Sequence, residues 1–137
     1  KSLMSTNDGL DMDFSNITID DLIITEAGND CVDLSFGNYQ ITNSELNYCG
    51  DKGFSVGEKS KLFSNLMIIK DSNIGIAAKD SSIAELRNVY FENVNTCLAA
   101  YKKKQEFNGG TIKAKKMKCL HYDKVKDIDI FSKVAHN

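Results

Sequence analysis

A hexad recurs six times along this chain at a spacing of 22 residues. Asn7-Asp8-Gly9-Leu10-Asp11-Met12 is followed by Asn29-Asp30-Cys31-Val32-Asp33-Leu34, and then by Asp51-Lys52-Gly53-Phe54-Ser55-Val56. Asn73-Ile74-Gly75-Ile76-Ala77-Ala78, Asn95-Thr96-Cys97-Leu98-Ala99-Ala100 and Met117-Lys118-Cys119-Leu120-His121-Tyr122 complete the series with no insertion between copies. A fixed period of this length marks a repeat architecture, in which each unit buries its apolar face only against its neighbours.

The fourth and sixth hexad positions are apolar or amphipathic, from Leu10 and Met12 to Leu120 and Tyr122. The fifth, between them, is polar or small: Asp11, Asp33, Ser55, Ala77, Ala99, His121. That alternation has period two, the signature of a half-buried strand. A second strand has inward residues Ile17 and Ile19, Tyr39 and Ile41, then Phe63. Glu85 breaks its column in the fourth unit, which reads as a register slip or bulge. A third is marked by Ile24, Leu46, Ile68, Tyr90 and Ile112. Three short strands per unit predict an all-β fold: a right-handed parallel β-helix, a single-stranded solenoid of about six coils. The absence of proline agrees, because interior strands need every backbone N–H.

The first hexad position is Asn or Asp in five copies, which suits a corner in left-handed backbone conformation and a side-chain ladder from coil to coil. The third is always Gly or Cys. Cys97 and Cys119 would stand on adjacent coils, where a disulfide is conceivable, but a small side chain exchanging with glycine is the preferred reading of all three cysteines in this column. No CxxC or Cys/His cluster points to zinc.

At 137 residues the chain is expected to be one domain, residues 1–137. It begins with Lys1 and shows no amphipathic capping helix, so a fragment or module of a longer protein is expected. No apolar run is long enough for membrane insertion. Charge is distributed unevenly: residues 1–99 carry seven basic against fifteen acidic side chains, and residues 100–137 carry ten lysines against four acids. The basic end reads as a solvated or domain-docking face. Without interleaved planar stackers it gives no case for nucleic acid.

Chemistry concentrates on one line. The second hexad position supplies Asp8, Asp30 and Lys52 on successive coils, with Asp11, Asp33 and Asp13 beside them. Carboxylates about 4.8 Å apart repel, and either share a proton or attract a cation. Asp8, Asp30 and Lys52 are therefore candidate catalytic residues of glycoside cleavage. Asp11 and Asp33 are candidate calcium ligands; no other cofactor is expected. Asp13, Lys79 and Tyr101 are candidate ligand-binding groups. The competing reading is that aspartates sit at solvent-facing turns for conformational reasons alone.

The runs Asn7-Asp8-Gly9-Leu10-Asp11, Gly28-Asn29-Asp30-Cys31-Val32 and Gly50-Asp51-Lys52-Gly53-Phe54-Ser55-Val56-Gly57 resemble three consecutive coils of the pectin-degrading polygalacturonases. In that family these coils carry an Asp, an Asp pair and a His between glycines. Asp8 matches the first Asp and Asp30 the second of the pair. Asn29 stands at the first of the pair, Lys52 stands at the His, and Arg87-Asn88-Val89 lacks the lysine of the family's Arg-x-Lys motif. A closer resemblance, over residues 7 to about 112, is to bacterial right-handed β-helix repeat proteins of the pectin lyase-like superfamily. It rests on Gly50–Ser60, on Gly75-Ile76-Ala77-Ala78-Lys79-Asp80-Ser81-Ser82 and on Ala100-Tyr101-Lys102-Lys103-Lys104-Gln105-Glu106-Phe107. It implies an extracellular or cell-envelope setting.

The resulting expectation is a non-catalytic module, acting as a scaffold or polysaccharide-binding surface, with polysaccharide or neighbouring domains of the same chain as partners. The absence of Trp leaves Tyr39, Tyr48, Tyr90 and Tyr101 as candidate stacking rings. The alternative is a polysaccharide lyase or glycoside hydrolase acting on an acidic glycan.

Overall fold

The structure, a computed structural model, describes residues 2–137, with side chains from Ser5 onward. Eleven strands follow in chain order: β1 (Ser2–Ser5), β2 (Leu10–Asp13), β3 (Asn16–Ile19), β4 (Leu22–Ala27), β5 (Val32–Ser35), β6 (Asn38–Val56), β7 (Lys61–Lys79), β8 (Ile83–Tyr101), β9 (Thr111–Leu120), β10 (Lys124–Ile128) and β11 (Lys133–His136). Every pairing is parallel, from β1 with β4 through β8 with β9 to β9 with β11. The chain winds as a right-handed parallel β-helix of about six coils, with three faces. The first carries the hexads, and the second and third carry the two strands after them.

The 19-residue strands β6, β7 and β8 each pass two corners without losing their pairing. A single residue with positive φ makes each turn: Asn43 and Tyr48, Leu66 and Asp71, Asn88 and Asn93. Asn and Asp adopt that conformation readily; Leu and Tyr do so only because the stack on either side holds them. The left-handed residues therefore precede the hexads and do not open them as expected. The predicted ladder is present in part: Asn73 Nδ2 donates to Asp51 Oδ1 at 2.9 Å and Asn95 Nδ2 to Asn73 Oδ1 at 3.1 Å, while Asn29 Nδ2 donates to Asp8 Oδ1, at the second hexad position, at 2.9 Å.

Two departures from strict period correct the sequence reading. Lys61 pairs with Asn38, one residue further than 22, and a bulge between Cys49 and Lys52 restores the spacing. On β7 the inward residues are thus Leu62 and Ile69, while Phe63 and Ile68 face solvent. Glu85 lies opposite Phe63 on the outer surface and breaks nothing; Phe91, not Tyr90, continues the third inward column. The second departure is larger. Thr111 pairs with Ile83 at a spacing of 28, so six extra residues leave the stack as a loop after Tyr101. Ile112 therefore lies in the second face opposite Ala84, Cys119 lies in the third opposite Phe91, and the sixth first-face strand is β10, not the run from Met117 to Tyr122.

The interior is a column of apolar side chains, with Ile24, Leu46, Ile69 and Phe91 on one face against Leu34, Phe54, Ile76 and Leu98 on another. The small third hexad position now has a cause. A Cβ on Gly53 would lie 2.7 Å from the Ile69 side chain, and one on Gly75 would lie 2.4 Å from the Phe91 ring. The large third-face residue enters a notch left by the glycine. Cys97 fills the same notch and bonds Cys119, which occupies the Phe91 column; Cys31 bonds Cys49. All four cysteines are therefore paired, against the reading that preferred them as small unpaired side chains.

Candidate functional site

The outer surface of the first face gathers the candidate residues. Asp8, Asp30 and Lys52 occupy consecutive coils and are joined edge to edge: Asp8 Oδ1 accepts from the Asp30 amide at 3.0 Å, and Asp30 Oδ1 accepts from the Lys52 amide at 3.1 Å. Asp11 lies opposite Asp33, Asp13 opposite Ser35, and Lys79 opposite Tyr101. Asp13 accepts a hydrogen bond from the Ser35 hydroxyl at 2.9 Å.

Two of these charges, Asp30 and Lys79, are unusually enclosed for an outer surface, while Asp11 and Asp13 are exposed. Asp30 is 4% exposed and Lys79 9%. Lys52 Nζ lies 2.7 Å from Asp51 Oδ2 and 3.8 Å from Asp30 Oδ1. Burial opposes the charge of Lys52, but the hydrogen bond to Asp51 and the field of Asp30 outweigh it, and its pKa stands above the usual lysine value. Asp51 is held low because bonds from Asn73 and Lys52 outweigh its burial. Burial pushes Asp30 up, offset only in part by Lys52. Burial, reinforced by Asp30, raises Asp33 to about 6. Lys79 is lowered by burial and by the neighbouring Lys52 and Lys103; Tyr101 is raised by burial.

One carboxylate oxygen from each of Asp8, Asp11 and Asp33 lies within 4.8 Å of the others. Calcium–oxygen bonds of about 2.3–2.6 Å place oxygens on opposite sides of one ion about 5 Å apart. Three hard carboxylate donors at this spacing fit calcium. The cluster extends the expected Asp11 and Asp33 pair by Asp8, which the sequence reading had placed with the catalytic residues.

Sequence reasoning missed Asp51, which binds Lys52 more closely than Asp30 does, and Ser55. Ser55 lies opposite Asp33 with its hydroxyl buried and without a protein partner. Corner aspartates read as conformational choices, and nothing in a lone serine signals enclosure. Tyr39 is not a candidate stacking ring: it is buried, and its hydroxyl donates to the Ser35 carbonyl at 2.8 Å.

The raised pKa of Asp33 makes stability depend on pH. In the unfolded chain Asp33 loses its proton near 3.8, and in the fold near 6. Between those values the unfolded state binds fewer protons, so this group lowers stability as pH rises from about 3.8 to about 6 and adds no slope above. Asp33→Asn is expected to flatten that fall in a series of urea melts from pH 3.5 to 7. An unchanged slope would contradict the assignment.

Comparison with protein-family models, with curated proteins and with solved structures yields no match.

Proposed function

We propose that this solenoid is a non-catalytic module that binds polysaccharide along its first face, in an extracellular or cell-envelope setting. One observation carries the reading: the charged groups there are spent on one another in register. Asp8 is tied to Asn29 and Asp30, and Lys52 to Asp30 and Asp51. Such an array is a rigid template whose polar edges repeat from coil to coil, and it matches a ligand that itself repeats. It does not leave Lys52 free as a base, because its ion pairs keep it protonated. Carboxylates accept hydrogen bonds from sugar hydroxyls directly. An acidic glycan would need calcium at Asp8, Asp11 and Asp33 to offset repulsion.

The test is calorimetric titration of the chain with neutral and uronic oligosaccharides, with calcium or with chelator. Binding is expected in both series, and the part of the uronic heat that calcium adds is expected to be lost in chelator and after Asp11→Asn with Asp33→Asn. No heat from either series would defeat the reading. Calcium binding should also weaken below pH 6, as protons compete for Asp33.

A second reading, cleavage of the bound chain by acid and base, is favoured by the enclosure of Asp30 beside Asp33 on one face. It requires reducing ends to accumulate on incubation and to vanish in Asp30→Asn.

A further inference from the structure

A further groove lies elsewhere. It has a volume of about 550 Å³ and runs over the outer surface of the second face from Asn16 to Glu85. A second groove of about 240 Å³ continues from Phe63 and Glu85 to Lys115. The two share Phe63 and Glu85, so they form one trough that crosses the coils. Its chemistry changes along its length. On the first two coils the walls are neutral hydrogen-bonding groups: Thr18, Gln40, and the pair Asn38 and Asn16, whose amides bond at 3.0 Å. On the third coil Phe63 stands outward, 43% exposed. Beyond it come Arg87, Lys113 and Lys115, all exposed.

Arg87 lies directly opposite Lys115 on the adjacent strand, and Lys113 opposite Glu85. Like charges facing each other across a parallel pair destabilise it. Arg87, Lys113 and Lys115 form no ion pair within the described residues. An anion lying between them would relieve that repulsion.

We infer that this trough is a second binding site, for an extended anionic polysaccharide, and that it needs no metal. The basic end takes the carboxylates or sulfates. The Phe63 ring packs against the apolar face of a sugar, and the amides of the first two coils take its hydroxyls. Charge complementarity separates the two faces: the aspartates of the first face repel such a chain, and the second face attracts it. A single exposed ring argues against single-stranded nucleic acid, which binds through a succession of stacked bases.

The intact chain is titrated with polygalacturonate fragments in the presence of chelator, so that the first face cannot engage them through calcium. Neutral dextran and a thymidine oligonucleotide serve as comparisons. Polygalacturonate is expected to bind through the trough, and any heat from dextran, which belongs to the first face, is expected to be unchanged by the trough variants below. Lys113→Glu with Lys115→Glu is expected to weaken binding at least tenfold, Phe63→Ala at least fivefold, and Glu85→Gln to strengthen it. Binding that persists in chelator separates this site from the first-face reading, whose hold on an acidic glycan needs calcium. Lys113, Lys115, Phe63 and Glu85 are exposed, and circular dichroism with thermal melts checks that each variant folds. Three outcomes overturn the inference: no binding in chelator; full binding by Phe63→Ala, which means bare charge attraction; or oligonucleotide binding as tight as that of polygalacturonate.

Discussion

Reducing the two disulfides is expected to cost the fold about 3 kcal/mol for each bridge, by the chain-entropy argument for loops of this size. Cys31–Cys49 spans 18 residues and Cys97–Cys119 spans 22. Cys97–Cys119 ties the third face to the first, and Cys31–Cys49 ties the first face to the residue just past the Tyr48 corner, so each fixes an angle that the stack would otherwise hold by packing alone. The effects should differ in place. Around Cys97–Cys119 the coils are less well filled, since Met117, Val125, Ile128 and Val134 are only half-buried. Hydrogen exchange after Cys97→Ser with Cys119→Ser should therefore rise first in β9, β10 and β11, and urea midpoints should fall. Cys31→Ser with Cys49→Ser should loosen β4 and β5 instead. Identical urea midpoints with and without reductant would contradict the expectation.

Truncating the largest buried third-face side chain comes next in size. Phe91 is fully buried, and Phe91→Ala is expected to cost about 3–5 kcal/mol through lost transfer energy and the cavity left behind. Its partner is the glycine notch. Gly75→Ala alone should cost about 1–3 kcal/mol, because its methyl would meet the ring at 2.4 Å and the Cys97 carbonyl at 2.6 Å. With Phe91 already reduced to alanine, the ring clash is gone and only the carbonyl contact remains. The double variant should then cost less than the two single losses together, by a margin a denaturation cycle resolves. Strict additivity would show that the notch and the ring do not act on each other.

The first face was legible in the sequence because its alternation is clean. Leu10, Val32, Phe54, Ile76 and Leu98 are flanked by polar or small residues, so only one phase places them inside. The other faces were harder for a definite reason. Leu62-Phe63, Ile68-Ile69 and Tyr90-Phe91 are apolar doublets, and a doublet satisfies the inward column in either phase. A one-residue shift between the second and third coils therefore leaves the pattern intact while exchanging which member is buried. The longer insertion was hidden by coincidence. The run Met117 to Tyr122 falls 22 residues after the preceding hexad and repeats its small third and apolar fourth positions, although Cys119 lies in another column. The aspartate line was legible because hexad positions stack. The enclosure of Asp30, Lys79 and Ser55 was not, since it depends on where long side chains lie across neighbouring coils.

The loop after Tyr101 also bears on how this rod can change. Residues 102–110 leave the stack and return to it, and the pairing of β8 with β9 proceeds in one register beyond them. The departure is clasped near its base. The Asp80 carboxylate, itself fully buried, accepts from the Lys103 and Lys104 amides at 2.8 Å each, and the Asn108 amide donates to the Ser81 hydroxyl at 2.9 Å. Gln105 and Glu106, between those clasps, are exposed. Length at that tip is decoupled from the coils beneath it, as it is for exposed loop tips generally. A foreign peptide spliced there would be displayed on a stiff shaft at a fixed height, which makes the corner a ready mount for an epitope or a fluorescent reporter.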